Sequence, residues 1–207
     1  MSKKTFWVGS LGGVFLAQAL CLSAQANEPV PAEALIGNRA DGKALAGQCR
    51  TCHGIDGVAR IPIAPHIGGE DALYLMRQLT AFRDGTREHE MMTVVTKGLS
   101  DQHIADLSAW YSSHEVAASL PPGKAEGDAP EDCTGCHGAT GVAEIEAAPN
   151  LTAETAMYID TQLKAFRLGK RQSEVMTVIA EELSDEQIRN FANWYAGTQL
   201  KITAVEP

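Results

Sequence analysis

Two stretches of this 207-residue chain carry the residue types and spacing for covalent cofactor chemistry. Cys49-Arg50-Thr51-Cys52-His53 recurs 84 residues later as Cys133-Thr134-Gly135-Cys136-His137. Both are C-x-x-C-H boxes. Two thiols at that spacing can add to the two vinyl groups on one edge of a porphyrin, and the adjacent His then offers an axial nitrogen to the iron. A four-Cys zinc site is the competing arrangement. The long gap between the pairs and the otherwise unused His after each disfavour it. The boxes predict two covalently bound haem c groups, one on Cys49 and Cys52 and one on Cys133 and Cys136. His53 and His137 are the expected proximal ligands.

The boxes sit in a longer repeat. At the same offset, about thirty of the 64 positions from 49 to 112 are identical without a gap. The matches include Pro65/Pro149, Tyr74/Tyr158, Gln78/Gln162, Arg83/Arg167, Arg87/Arg171, Met92/Met176, Ser100/Ser184 and Trp110-Tyr111/Trp194-Tyr195. One small haem-binding unit is therefore duplicated in tandem. Leu120-Pro121-Pro122-Gly123-Lys124 is a breaker cluster between the copies.

Duplication also selects the sixth ligand. Met76, Met91, Met92, Met157 and Met176 follow the leader, and only Met92 and Met176 align with each other. Those two are the expected sulfur ligands, with Met91 the runner-up in copy one. Met157 reads as a core filler, and Met76 and Met91 as surface or packing residues. His66, His89, His103 and His114 align with Asn150, Ser173, Gln187 and Thr198, so none reads as a shared ligand; each reads as a surface or loop residue. His89, three residues before Met92, is the one candidate for a bis-His alternative. Pro65 and Pro149 fall twelve residues after their His, where a carbonyl in a rigid loop can accept the other imidazole N–H.

The elements that must hold these groups read as helices, giving an all-α fold with no competing strand signal. In copy one they run from about Asp41 into Cys49, from about Asp71 to Arg83, and from Ser100 onward through Ile104, Leu107 and Tyr111. Gly85 and Gly169 suit C-caps, Ser100 and Ser184 suit N-caps, and Ser184 to Gln187 reads as a capping box. Copy two has a shortened first helix, Gly127 to Cys133, with Pro130 inside it. Three short helices bury little surface alone, so the porphyrin must supply much of each core.

Residues 1–26 read as a secretory signal: Lys3 and Lys4, an apolar run from Phe6 to Leu22, then Ala24-Gln25-Ala26. Cys21 lies in this leader and is a poor lipid-attachment site. The mature chain from about Asn27 is expected to be exported, periplasmic and without membrane insertion. The whole chain carries a formal charge of −9, and loss of the two leader lysines makes it −11. That balance disfavours nucleic acid and anionic lipid as partners and favours redox proteins with basic docking patches. Arg83/Arg167 and Arg87/Arg171 read either as solvated helix ends or as partners for propionates or the opposing copy.

Together the paired boxes, the proline twelve residues on, the Gln-Leu-x-Ala-Phe-Arg-x-Gly helix end and the Met-x6-Leu-Ser-Asp run resemble a two-haem class I cytochrome c of the cytochrome c4 family. The resemblance covers nearly all of the mature chain. It implies cytochrome c domains at 27–118 and 127–207, joined by a linker at 119–126. It implies a non-enzymatic electron carrier serving respiratory or dehydrogenase donors and an acceptor such as a membrane-bound terminal oxidase. Two alternatives stand beside it: the cytochrome subunit of a periplasmic dehydrogenase of flavocytochrome type, and a two-haem peroxidase. The peroxidase needs one iron without a strong sixth ligand, and the Met92/Met176 match argues against that.

Overall fold

Copy one builds its helices from local signals. The Asn38 side chain accepts the Ala40 and Asp41 N–H groups and starts α1 (Arg39–Ala46). That helix stops at Gly47, and a separate short α2 (Arg50–His53) carries the haem box. The single helix expected from Asp41 to Cys49 is thus broken before the first cysteine. Asp71 caps α3 (Ala72–Asp84), which ends on left-handed Gly85. A short α4 (Met92–Thr96) follows, then α5 (Asp101–Ser112), capped by Ser100. The computed structural model describes residues 36–146 and 148–207. The expected secretory leader, with Cys21, and the expected cleavage near Asn27 lie outside the described residues.

In copy two, a 3₁₀ turn (Glu126–Asp128) leads into α6 (Glu131–His137), with Pro130 as its N-cap. Pro130 therefore begins a helix rather than interrupting one, as its fixed φ allows. The helix then runs through the whole haem box. α7 (Ala156–Arg167), α8 (Met176–Glu181) and α9 (Asp185–Ala196) repeat α3, α4 and α5. Ser184 and Gln187 form the expected capping box, and Ser100 and His103 form its counterpart.

The last helix of each copy clamps the haem loop. Trp110 Nε1–H donates to the Ile55 carbonyl at 2.8 Å, and Trp194 Nε1–H to Ala139 at 2.9 Å. The Tyr111 and Tyr195 hydroxyls reach the Gly54 and Gly138 carbonyls. Buried Leu75, Leu107, Trp110 and Tyr111 centre one core, and Ile159, Leu163, Ile188 and Tyr195 the other.

The fold is helical as expected, with one small two-strand sheet that no strand signal announced. β1 (Glu115–Ser119) pairs antiparallel with β2 (Gln199–Thr203). These are repeat-equivalent segments, and Ala117 pairs with its own counterpart Lys201. The ladder straddles an approximate twofold axis between the copies. Each strand is five residues of weak alternation, and neither has a partner within its own copy, so no local signal announces it. Val116 and Ile202 pack onto the Gly68–Gly69 loop.

Candidate haem sites and the interface between copies

Each box ends a helix at a buried histidine. The His53 ring Nδ1 lies 2.9 Å from the Pro65 carbonyl oxygen, and His137 Nδ1 lies 2.8 Å from that of Pro149. A carbonyl can only accept, so Nδ1 carries the proton and Nε2 keeps its lone pair. Burial holds both imidazoles below the usual histidine range, and the proline carbonyl partly opposes it. Burial, the larger effect, suits a neutral nitrogen ligand.

Glycine makes the loop geometry possible. Gly57 has φ +81° and Gly141 φ +87°. A Cβ on Gly57 would stand 2.1 Å from the Gly68 nitrogen. Each glycine's carbonyl then accepts two N–H groups of the loop that follows its proline, at 2.8 and 3.2 Å from Ile67 and Gly68 and at 2.7 and 3.1 Å from Leu151 and Thr152. That closure holds each proline carbonyl against its histidine.

Met92 and Met176 open α4 and α8, and both are half-buried. Met91 is 57% exposed and Met157 49% exposed. Met157 is therefore not a core filler: it lies half exposed in the first turn of α7. His89 accepts the Met91 and Met92 N–H groups on Nδ1, at 3.3 and 3.4 Å. Ser173 Oγ accepts the Met176 N–H in the same way at 3.1 Å. His89 thus has a capping role that its serine counterpart shares.

Residues of both copies line a cavity of about 710 Å³, whose wall includes Cys133, Cys136, His137 and Met176 from copy two and Glu70, Tyr74 and Gln78 from copy one. Both thiols of the box, an imidazole with a free Nε2 and a thioether open onto one largely apolar space, which fits a covalently attached haem. Burial pushes the unmodified Cys133 thiol up to about 11, with Asp132 and Cys136 adding to it. Among the described residues no group of three or more Cys, His, Asp or Glu converges as a metal site. The two cysteine pairs are not gathered into a zinc centre.

Between the copies lies a network related by the same twofold. Arg87 bonds Gln78 and reaches across to Gln162 at 2.7 Å. Arg171 bonds Gln162 at 2.8 Å and reaches across to Gln78 and the Tyr74 hydroxyl, both at 3.0 Å. Arg83 and Arg167 instead stay within their copies, each 2.6 Å from the aspartate that opens the last helix, Asp101 or Asp185. So one arginine pair is interfacial and the other braces a helix end.

Two of the histidines expected at the surface or in loops do lie in loops, but they are turned into the structure rather than out to solvent. His66 Nδ1 accepts the Ala59 N–H at 3.0 Å, and its Nε2 lies 3.3 Å from the Ala153 carbonyl of the other copy. Asn150 repeats this with an amide: it accepts from Ala143 at 2.9 Å and donates to Gly69 at 3.0 Å. His114 is 4% exposed, with its ring edge-on to Trp110. Sequence reasoning also missed Glu70 and Glu154, which are buried and reciprocal. The Asn150 N–H donates to Glu70 at 3.0 Å, and the His66 N–H to Glu154 at 2.7 Å. Their identity in the repeat was the available signal, because a buried glutamate needs a partner and none lies nearby in sequence.

Duplicated helices, haem boxes and proline-braced histidines around such a cavity define a two-haem class I cytochrome c. Comparison with known proteins narrows this. No family model matches the chain. The cytochrome c4 of Pseudomonas aeruginosa is 33% identical over 178 residues, covering 78% of this chain and 89% of the relative. The thiosulfate dehydrogenase electron acceptor of Stutzerimonas stutzeri is 29% identical over 205 residues, covering 89% and 94%. The crystal structure of reduced recombinant cytochrome c4 from Pseudomonas stutzeri superposes with a TM-score of 0.67 at 28% identity, covering 79% of this chain and all of that one. The chain belongs to the cytochrome c4 family and is a dihaem electron-transfer protein with covalently bound haem c.

Proposed function

We propose that the protein is an exported, periplasmic relay that carries electrons between respiratory or dehydrogenase donors and a terminal acceptor such as an oxidase. Its domains are 27–118 and 127–207, with 119–126 as linker. Cys49 and Cys52 hold one haem by thioether bonds, and Cys133 and Cys136 the other. His53 and Met92 ligate the first iron, His137 and Met176 the second. Bound haem c supplies reversible one-electron chemistry. The chain fixes the imidazole tautomer and presents the sulfur from the first residue of a short helix. With a histidine and a methionine holding each iron, neither would offer a site to substrate, which favours a carrier over a peroxidase.

The observation that carries this reading is the matched pair of His–Pro hydrogen bonds, each leaving Nε2 free, with His137 and Met176 lining one cavity in copy two. The test uses the holoprotein. Mass spectrometry should find two haems retained through acid extraction, and an optical titration should find two reversible one-electron steps. Met92→Ala and Met176→Ala should each turn one haem, and only one, high-spin or misligated, while Met91→Ala leaves the spectrum nearly unchanged. Damage from Met91→Ala in place of Met92→Ala would overturn the assignment in copy one.

A second reading is supported by the relatives that serve as electron acceptors of thiosulfate dehydrogenase. In that case the donor is a periplasmic dehydrogenase that holds this chain as a subunit. Stable co-purification with such an enzyme, rather than transient reduction by it, distinguishes the two.

A further inference from the structure

A buried carboxyl group without a cation nearby is costly to ionise. Glu70 and Glu154 are 4% and 2% exposed. Neither joins an ion pair among the described residues. Each accepts one backbone N–H from the opposite copy. Glu154 Oε2 is sealed from solvent and has no hydrogen-bond partner. That orphaned oxygen is a place for a proton.

The surroundings point the same way. Glu70 and Glu154 repel each other, and Asp71 adds to the repulsion at Glu70. Burial keeps the His66 imidazole neutral against them. Tyr74 and Tyr158 stand on the adjoining helices, and Tyr158 is itself held protonated by burial. The guanidinium groups of Arg87 and Arg171 are occupied by Gln78, Gln162 and Tyr74. Burial, the largest cause in both cases, pushes Glu70 up to about 8 and Glu154 up to about 9.

We propose that Glu70 and Glu154 form a proton-binding site at the interface between the copies, which takes up a proton when the protein is reduced. This rests on the dihaem carrier reading. The balance is simple. One electron arrives from the donor protein, and one proton arrives from solvent onto a carboxylate oxygen of Glu70 or Glu154. The net charge of the buried region is then unchanged. On oxidation both leave. Reduction removes a positive charge from the iron, so the reduced protein holds the proton more tightly. The potential therefore falls as pH rises through the titration range. Well below that range, both carboxyls stay protonated in either redox state and the potential is flat.

The experiment is an optical redox titration of the full-length dihaem protein across that range, for wild type, Glu70→Gln, Glu154→Gln and the double variant. Glutamine keeps the oxygen that accepts from Asn150 or His66 and cannot ionise. The wild-type potential is expected to fall with pH, each single variant to lose part of the slope, and the double variant to lose most of it. Redox difference infrared spectra of the wild type should show a protonated-carboxyl C=O band that shifts in D₂O, a readout that needs no variant to fold. A flat wild-type potential, the absence of that band, or a double variant that keeps the full slope (assigning the proton to haem propionates) overturns the proposal. A chain that binds no haem, or is not reversibly reduced, overturns the carrier reading instead.

Discussion

The two copies solve one packing problem differently at their first helix. In copy one, α1 crosses α5 so closely that a Cβ on Gly42 would lie 2.0 Å from the Asp106 carbonyl oxygen. In copy two no such helix exists. The linker lies over α9 instead, and Leu120, Pro121 and Lys124 share a shallow groove with Asn190, Asn193 and Trp194. One contact survives the exchange. Lys43 sits 5.2 Å from the Trp110 ring centroid, and Lys124 sits 5.3 Å from that of Trp194. What duplication has kept is the covering of the tryptophan that pins the haem loop, and the element that supplies it was free to change.

The interface teaches the converse. His66 and Asn150 differ chemically, yet each accepts one backbone N–H in its own copy and donates one bond to the other. Gly69 and Ala153 both have positive φ, 73° and 53°. Their carbonyls are the acceptors of those crossing bonds. At these two positions geometry is held while residue identity differs, whereas Arg87/Arg171, Gln78/Gln162 and Glu70/Glu154 keep both.

Four measurements would break or sharpen this comparison. The largest effect concerns what the copies share. Glu70 and Glu154 are held protonated in the fold, at about 8 and about 9, well above their ordinary value of 4.5. The unfolded chain loses those protons first as pH rises. Their stabilising contribution is therefore complete below about pH 4.5 and lost as pH climbs through 8 to 9. Denaturant unfolding of the holoprotein should show stability falling by several kcal/mol over that span. The Glu70→Gln, Glu154→Gln double variant should be flatter. A stability that rises across the same span would contradict the burial argument.

Next, Gly42→Leu should destabilise copy one by about 3 kcal/mol, the upper part of the range for overpacking a tight contact. The repeat-equivalent Glu126→Leu should change stability by less than about 0.5 kcal/mol, as an exposed position does. Similar effects at both sites would mean that copy two has a crossing helix after all. Third, His66→Ala removes two hydrogen bonds and should cost about 2 kcal/mol in thermal or denaturant unfolding. His66→Asn should recover most of that loss, because Asn150 already performs the same role. Failure of asparagine to rescue would show that the imidazole is required for something beyond these bonds. The smallest effect is at Ala153, whose left-handed backbone disfavours a side chain. Ala153→Gly should stabilise the chain by about 1 kcal/mol or less, seen as a small rise in Tm. The reverse change, Gly69→Ala, should destabilise it, because its Cβ would come within 2.1 Å of the Val116 methyl.

Much of this was legible in the sequence because it is local. Ser184 and Gln187 lie three residues apart, and each box fixes its own cysteines and histidine. The His–Pro bond spans twelve residues at a constant spacing, which the repeat displayed twice. Long-range features were not legible. His66 read as a surface or loop histidine because its role is shared with an asparagine, and an identity comparison cannot see that. The strands were invisible because each pairs with a segment 84 residues away. The crossing of α1 over α5 depends on Gly42, which looks like any helix-weakening glycine until its neighbour is known.

The β1–β2 ladder also has a meaning in time. A chain is made from its N-terminus, and early domains ordinarily finish folding first. Here the strand that covers the open edge of copy one is Gln199–Thr203, and beyond it Arg39 bonds the Val205 and Glu206 carbonyls at 2.8 and 2.7 Å. The first half of the molecule is therefore the last to be sealed. Until Gln199–Thr203 arrives, it presents five unpaired residues of strand edge, the feature most prone to wrong pairing. Removing the C-terminal tail would strip its cover from the half of the protein farthest away in sequence.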